Sequence, residues 1–278
     1  MHMPVQESAS SNAAIVKRHR LSTRIWHWTN VLILLVMLMS GFMIFNAHPR
    51  LYWGEYGANA DPAWLAIGSQ GETGFLRIGD LTLETTGFLG TWRDDRGFMV
   101  RRAFPPWATI PSNHDLALSR RWHLTFAWLF AASIALYVLW SIANRHLKRD
   151  LLPKRDELRP RHLWQDIKRH ARLDFPKGAA ALNYNTLQKL SYVAVLLVLL
   201  PVMVLTGMTM SPALDASLGW LVELFGGRQS ARSIHFIAAI ALVLFVVVHL
   251  AMVVLSGPIN EIRSMITGRY RLPKEKSS

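Results

Sequence analysis

Four stretches of this chain, roughly residues 24–46, 120–143, 187–210 and 232–256, are long and apolar enough to cross a bilayer, and their interiors carry almost no charge. A helix needs about 20 residues to traverse about 30 Å of hydrocarbon. Within that layer every backbone N–H and C=O must be satisfied inside the segment itself. The pattern therefore predicts an all-α integral membrane fold, a bundle of four transmembrane helices. Arg20 and Arg24, then Arg120 and Arg121, gather at the ends of the stretches beside Trp26, Trp28, Trp122 and Trp140, as interfacial anchors should. The formal charge of +13 is explained by such flanking residues, so it does not point to nucleic acid. The chain has no Cys, which excludes disulfides, thiolate-bound iron–sulfur clusters, c-type haem attachment and Cys-based zinc sites.

The segments between the stretches predict their sidedness. Residues 144–186 contain eleven Lys or Arg against five acids and are expected in the cytoplasm. Residues 47–119 contain six Arg, no Lys and eight acids, which places them outside and both termini in the cytoplasm. Helix-to-helix links usually take about 2–8 residues, so this outer loop has excess length that predicts a folded cap or a docking surface. Residues 1–18 lack an apolar core and read as a disordered cytoplasmic tail. Residues 19–258 then form the membrane domain, and 259–278 a second cytoplasmic tail.

Of eleven His residues, four fall inside the apolar stretches: His27, His123, His235 and His249. An imidazole is costly in lipid unless it faces the bundle interior and finds a partner. His27 lies at the cytoplasmic start of the first stretch and His123 at the outer start of the second, so they occupy opposite leaflets. On the fourth stretch His235 lies near the outer surface, and His249, fourteen residues later, lies about 21 Å deeper. Fourteen steps of roughly 100° return to nearly the same helix face. The arithmetic pairs His27 with His249 and His123 with His235, at two depths on one shared helix.

Paired neutral imidazoles in an apolar bundle suit haem b, one group per pair, two stacked across the bilayer. Zinc fits less well, because two His at each depth are too few ligands and no Asp or Glu lies within the stretches. The plainer alternative is that each His bonds a backbone carbonyl or a neighbouring helix separately. His114, in a loop before Arg120, is the rival to His123. Gly41 and Gly207 would give a porphyrin room, or would serve ordinary helix contact.

With WHWTN opening the first stretch, a His opening the second and His235-x13-His249 on the fourth, the chain resembles the bacterial di-haem cytochrome b subunits of nickel–iron hydrogenases, formate dehydrogenases and thiosulfate reductases. The resemblance covers roughly residues 20–256 and implies the same pairing of histidines. It implies a bacterial inner-membrane subunit that moves electrons between ubiquinone or menaquinone and a periplasmic redox subunit; FNAHPRLYWGEYG is similar to members that stand beside molybdenum oxidoreductases. A homo-oligomer is compatible with this role. The family holds its quinone near the inner haem, where Asn30, Asn185, Gln188 and Tyr192 supply polar groups, although such residues also serve as helix caps. Arg24, Arg121 and Arg232 lie where haem propionates would emerge. Two other functions remain open: a free-standing quinone-linked oxidoreductase of a small donor such as superoxide, and a haem-free membrane anchor or transporter.

Overall fold

The computed structural model describes residues 15–145, 147, 151–172 and 185–272. The four apolar stretches are helical: α1 (Leu21–Phe45), α2 (Leu116–Ala143), a third span over Thr186–Thr209 and α8 (Arg228–Ser256). Each is long and apolar enough to cross a membrane. The third span is built from α4 (Thr186–Ala194), one π-helical turn (Val195–Leu199) and α5 (Leu200–Thr209). Pro201 has no N–H to return to the preceding turn, and the wider turn just before it is where the regular ladder is interrupted. At the start of α2 the Asp115 carboxylate accepts from the Leu118 N–H at 2.8 Å. Such a cap contributes about 1 kcal/mol.

The chain divides into two compact units, one of residues 27–145 and 193–246, the other of 1–26, 146–192 and 247–278. In the first unit the loop between α1 and α2 is folded, and it is β-structure. The expectation of a wholly α-helical chain is corrected here. Strands β2 (Arg50–Leu51), β3 (Leu65–Gln70), β4 (Thr73–Ile78) and β5 (Leu81–Glu84) form an antiparallel sheet, and β6 (Gly90–Arg93) pairs with β7 (Met99–Arg102). Gly71 and Gly79 open the two-residue turns β3–β4 and β4–β5 at φ +61° and +56°, a backbone region that glycine enters without strain. Leu51, Leu65, Ile67 and Ala103 bury the inner face of this module against Phe45 at the end of α1, with Phe236 of α8 packed on the same cluster.

Polar contacts complete that junction. The Gly54 carbonyl accepts from the Gln229 and Ser230 N–H groups at 3.0 Å, satisfying two donors that the first turn of α8 leaves open. Ser233 donates to the Tyr52 carbonyl at 2.5 Å and accepts from the Trp64 indole at 3.0 Å. The β module and the N-terminal end of α8 therefore form one packed body. Two short helices, α6 (Pro212–Asp215) and α7 (Gly219–Leu224), link α5 to α8.

In the second unit β1 (Ile15–Lys17) pairs with β8 (Arg269–Arg271), and α9 (Pro258–Thr267) follows α8 after a left-handed turn at Gly257. Arg18 pairs with Glu261 at 3.0 Å and lies over the Tyr270 ring. Of the expected disordered tail of residues 1–18, Ile15–Lys17 are instead held by backbone pairing and Arg18 by Gly268 and Glu261, and residues 1–14 lie outside the described residues. The segment 259–278 likewise carries a helix and a strand as far as Arg271. Between the second and third spans lies the amphipathic α3 (Pro160–Ala171), and Glu157 nearby accepts from Lys189 of α4 at 2.8 Å.

Candidate functional site

His123 in the second turn of α2 and His235 in the second turn of α8 face one another, their ring centres 6.4 Å apart and their planes at 68°. Each ring is held by the same arrangement of groups. The Ser40 hydroxyl of α1 donates to the Val36 carbonyl at 2.6 Å and stands 3.0 Å from His123 Nδ1. The Thr206 hydroxyl of α5 donates to the Val202 carbonyl at 2.6 Å and stands 2.9 Å from His235 Nδ1. A hydroxyl has one proton. Once that proton is committed to the carbonyl four residues back, the oxygen meets the imidazole as an acceptor, so Nδ1 carries the hydrogen. His123 Nδ1 is also 3.1 Å from the Met37 carbonyl, which can only accept, and His235 is hydrogen-bonded by the Met203 backbone. Both rings therefore present Nε2 as the nitrogen with a free lone pair.

Gly41 and Gly207 follow the two hydroxyl residues. A Cβ at Gly41 would stand 3.4 Å from His123 Cε1, and one at Gly207 would stand 3.5 Å from His235 Cε1. Bare backbone lies beside each imidazole, on the side where a side chain would otherwise sit. An added Cβ at either position would meet its imidazole at ordinary van der Waals distance, so both glycines lie directly beside the histidine pair.

The spacing of the two rings suits a shared haem. A metal–imidazole bond of about 2 Å on each side, with roughly 1 Å more to each ring centre, places two rings sharing one metal about 6 Å apart. The observed 6.4 Å fits. So do the Nδ1–H tautomers, because a ligating histidine usually donates its second ring nitrogen to an outer partner. Among the described residues no group of three or more His, Cys, Asp or Glu could hold a metal ion by itself. His123 and His235 would thus be the residues to hold a haem, whose porphyrin would bring the remaining donors.

The other expected residues are distributed as follows. His27 on α1 and His249 on α8 belong one to each unit. His114 is exposed in the loop before α2. Asn30 is buried and donates to Ser133 of α2 at 2.8 Å, a helix-to-helix contact. Asn185 and Gln188 form a reciprocal capping box at the start of α4: the Gln188 N–H donates to Asn185 Oδ1 at 2.9 Å and the Asn185 N–H to Gln188 Oε1 at 3.2 Å. Tyr192 is half-buried on α4. Arg24 donates to the Ile266 carbonyl at the end of α9, and Arg121 is exposed. Arg232 donates to the His48 carbonyl at 2.6 Å and covers the Phe45 ring. Desolvation at this junction, with the charges of Arg232 and Arg50, lowers the His48 pKa and favours its neutral form.

Ser40 and Thr206 were not anticipated from the sequence. Their signal is a repeat: Met37-Leu-Met-Ser40-Gly41 in α1 and Met203-Val-Leu-Thr206-Gly207 in α5 share the pattern M-x-x-[ST]-G.

Apolar spans joined by a histidine pair of this spacing define a membrane-bound b-type cytochrome. The chain matches the model of the prokaryotic cytochrome b561 family over residues 18–268, and it belongs to that family. Membership brings haem b as prosthetic group and makes this a membrane protein of electron transport. The chain is also similar to a candidate protein-methionine-sulfoxide reductase subunit, YedZ1, of Azospira oryzae, with 34% identity over 139 residues, 49% of this chain and 64% of the relative. It thus spans somewhat less than two thirds of that relative's length.

Proposed function

We propose that this chain is the di-haem b membrane subunit of a quinone-linked oxidoreductase, passing electrons between the quinone pool and a redox partner on the outer face of the bacterial inner membrane. The observation that carries the reading is the approach of His123 and His235 to 6.4 Å with both Nδ1 atoms engaged. Haem held between His123 and His235 would supply one-electron exchange. His123 and His235 orient and retain the outer group. His27 and His249 are assigned the inner group, supported by the fourteen-residue spacing along α8 and by the placement of His27 at the opposite end of α1 from Ser40.

Phe45 packs against Phe104 and Phe236, the residue after His235, in an apolar cluster with the β module. Arg24, Arg121 and Arg232 are the cations assigned to the propionates. Asn30, Asn185, Gln188 and Tyr192 are the polar groups assigned to a quinone at the inner level, and the first three would share side chains that already serve the fold. The charge contrast between residues 47–119 and 144–186 supports a periplasmic β module and cytoplasmic termini. A partner of the molybdenum oxidoreductase class is supported by the residues FNAHPRLYWGEYG of the long loop, and the relative named as a reductase subunit agrees with a separate catalytic partner.

The test is quinol oxidation by the purified chain in lipid nanodiscs. Addition of a short-chain quinol should reduce the haem, with the quinol oxidised to quinone, and bring up the reduced b-type absorption band. Haem-loaded protein whose band does not respond to any quinol would remove the quinone link.

A further inference from the structure

The repeated pattern M-x-x-[ST]-G sits on two different helices, and each copy faces a different histidine. Ser40 and Thr206 are both fully buried, at 0% exposure, which is where an unemployed hydroxyl would be costly. Each hydroxyl spends its proton on its own helix, at 2.6 Å, in the bond that serine and threonine commonly make in apolar helices. That bond alone would give a local role. What exceeds it is the second contact, from hydroxyl oxygen to imidazole Nδ1, at 3.0 Å and 2.9 Å. The same helix turn also brings a Met carbonyl to the ring and ends in a glycine beside Cε1. Two unrelated packing accidents would not reproduce four matched features at both rings.

We infer that Ser40 and Thr206 are paired positioning residues that fix the tautomer and the electron-donating power of His123 and His235, and so set the redox potential of the outer haem. The inference rests on the reading of those two histidines as haem ligands. An acceptor at Nδ1–H pulls the ring toward imidazolate character and raises its basicity as a ligand. A more basic ligand favours the ferric state. Deleting either acceptor should therefore move the outer midpoint potential to a more positive value, and the carbonyls of Met37 and Met203 should keep the shift short of that caused by losing the ligand. The symmetry of the site makes a further statement: either hydroxyl acts on the same haem, so the double variant should shift one potential further and leave the other in place.

The experiment is a redox titration of haem-loaded protein in nanodiscs, with low-spin electron paramagnetic resonance signals read on the same samples, for wild type, Ser40→Ala, Thr206→Val and the double variant. Thr206→Val keeps the shape of the side chain and removes only its hydroxyl. A positive shift of one and the same potential in all three variants, largest in the double variant and accompanied by changed g values of one signal, is expected. Unmoved potentials at full haem content would overturn the inference, and so would equal movement of both potentials. Should Ser40→Ala fail to accumulate, Ser40→Thr and Thr206→Ser carry the test: both retain the hydroxyl and should keep the wild-type potential, and a shift in either would overturn it. Wild-type protein without haem would instead remove the functional reading itself.

Discussion

The two compact units use their polar residues differently. In the unit of residues 27–145 and 193–246, the buried hydroxyls of Ser40 and Thr206 are aimed at histidines. In the other, polar groups hold the unit to itself: Asn185 with Gln188, Lys189 with Glu157, Arg18 with Glu261 and Arg24 with the end of α9. A polar residue near a membrane boundary is thus a poor guide to ligand binding until its partner is known. His123 and His235 carry the mark of a site because their surroundings are matched in pairs. His27 and His249 are assigned by spacing along their helices.

The largest effect that sharpens this contrast is expected from the ligands. His123→Ala and His235→Ala should each abolish the same redox transition, whereas His27→Ala and His249→Ala should each abolish the other. Potentiometric titration of the four proteins reads the pairing directly, and removal of different transitions by His123→Ala and His235→Ala would break it. A smaller effect is expected from Gln188→Ala, which opens the capping box of α4. Loss of such a cap costs about 1 kcal/mol, readable as a lowered thermal midpoint. Slowed quinol turnover at unchanged haem content would add a direct role for Gln188 at the quinone, and unchanged turnover would confine it to the cap.

Much of this molecule is written in its hydropathy, and some of it is not. The four spans follow from runs of apolar residues that only a helix can bury in lipid, and the four histidines stand out because imidazole is rare there. The β module was legible only as excess length. Its signals are local and weak by comparison, two Gly-initiated turns at Gly71 and Gly79 between short alternating runs, and its packing against Phe45 and Phe236 is a tertiary event. Ser40 and Thr206 were passed over because a hydroxyl in an apolar helix is commonly satisfied by its own backbone. Only the facing imidazole, supplied by another helix, shows the second use. Ile15–Lys17 were hidden for a similar reason, since their strand partner lies at Arg269–Arg271 near the other end of the chain.

The smallest effect concerns the Glu157–Lys189 pair. Burial opposes ionisation of Glu157, yet the hydrogen bonds from Lys189 and from the Lys154 N–H, with the charges of both lysines, hold its carboxyl below the usual value. A carboxylate whose pKa is lower folded than unfolded contributes stability above its unfolded pKa and loses it as pH falls through the folded value. Glu157→Gln should therefore lower the thermal midpoint modestly near neutrality, and the difference from wild type should close as the solution is acidified below the carboxylate range. A difference that persisted in acid would show that packing, not charge, sets the role of Glu157.

The central claim is tested most directly by counting haem. Purified protein assayed for haem b per chain, with its reduced-minus-oxidised spectrum and its electron paramagnetic resonance signals, should contain two low-spin haems, and His235→Ala should contain one. Competently assembled wild-type protein with no Soret band, or His235→Ala protein that still holds two low-spin haems, would contradict it.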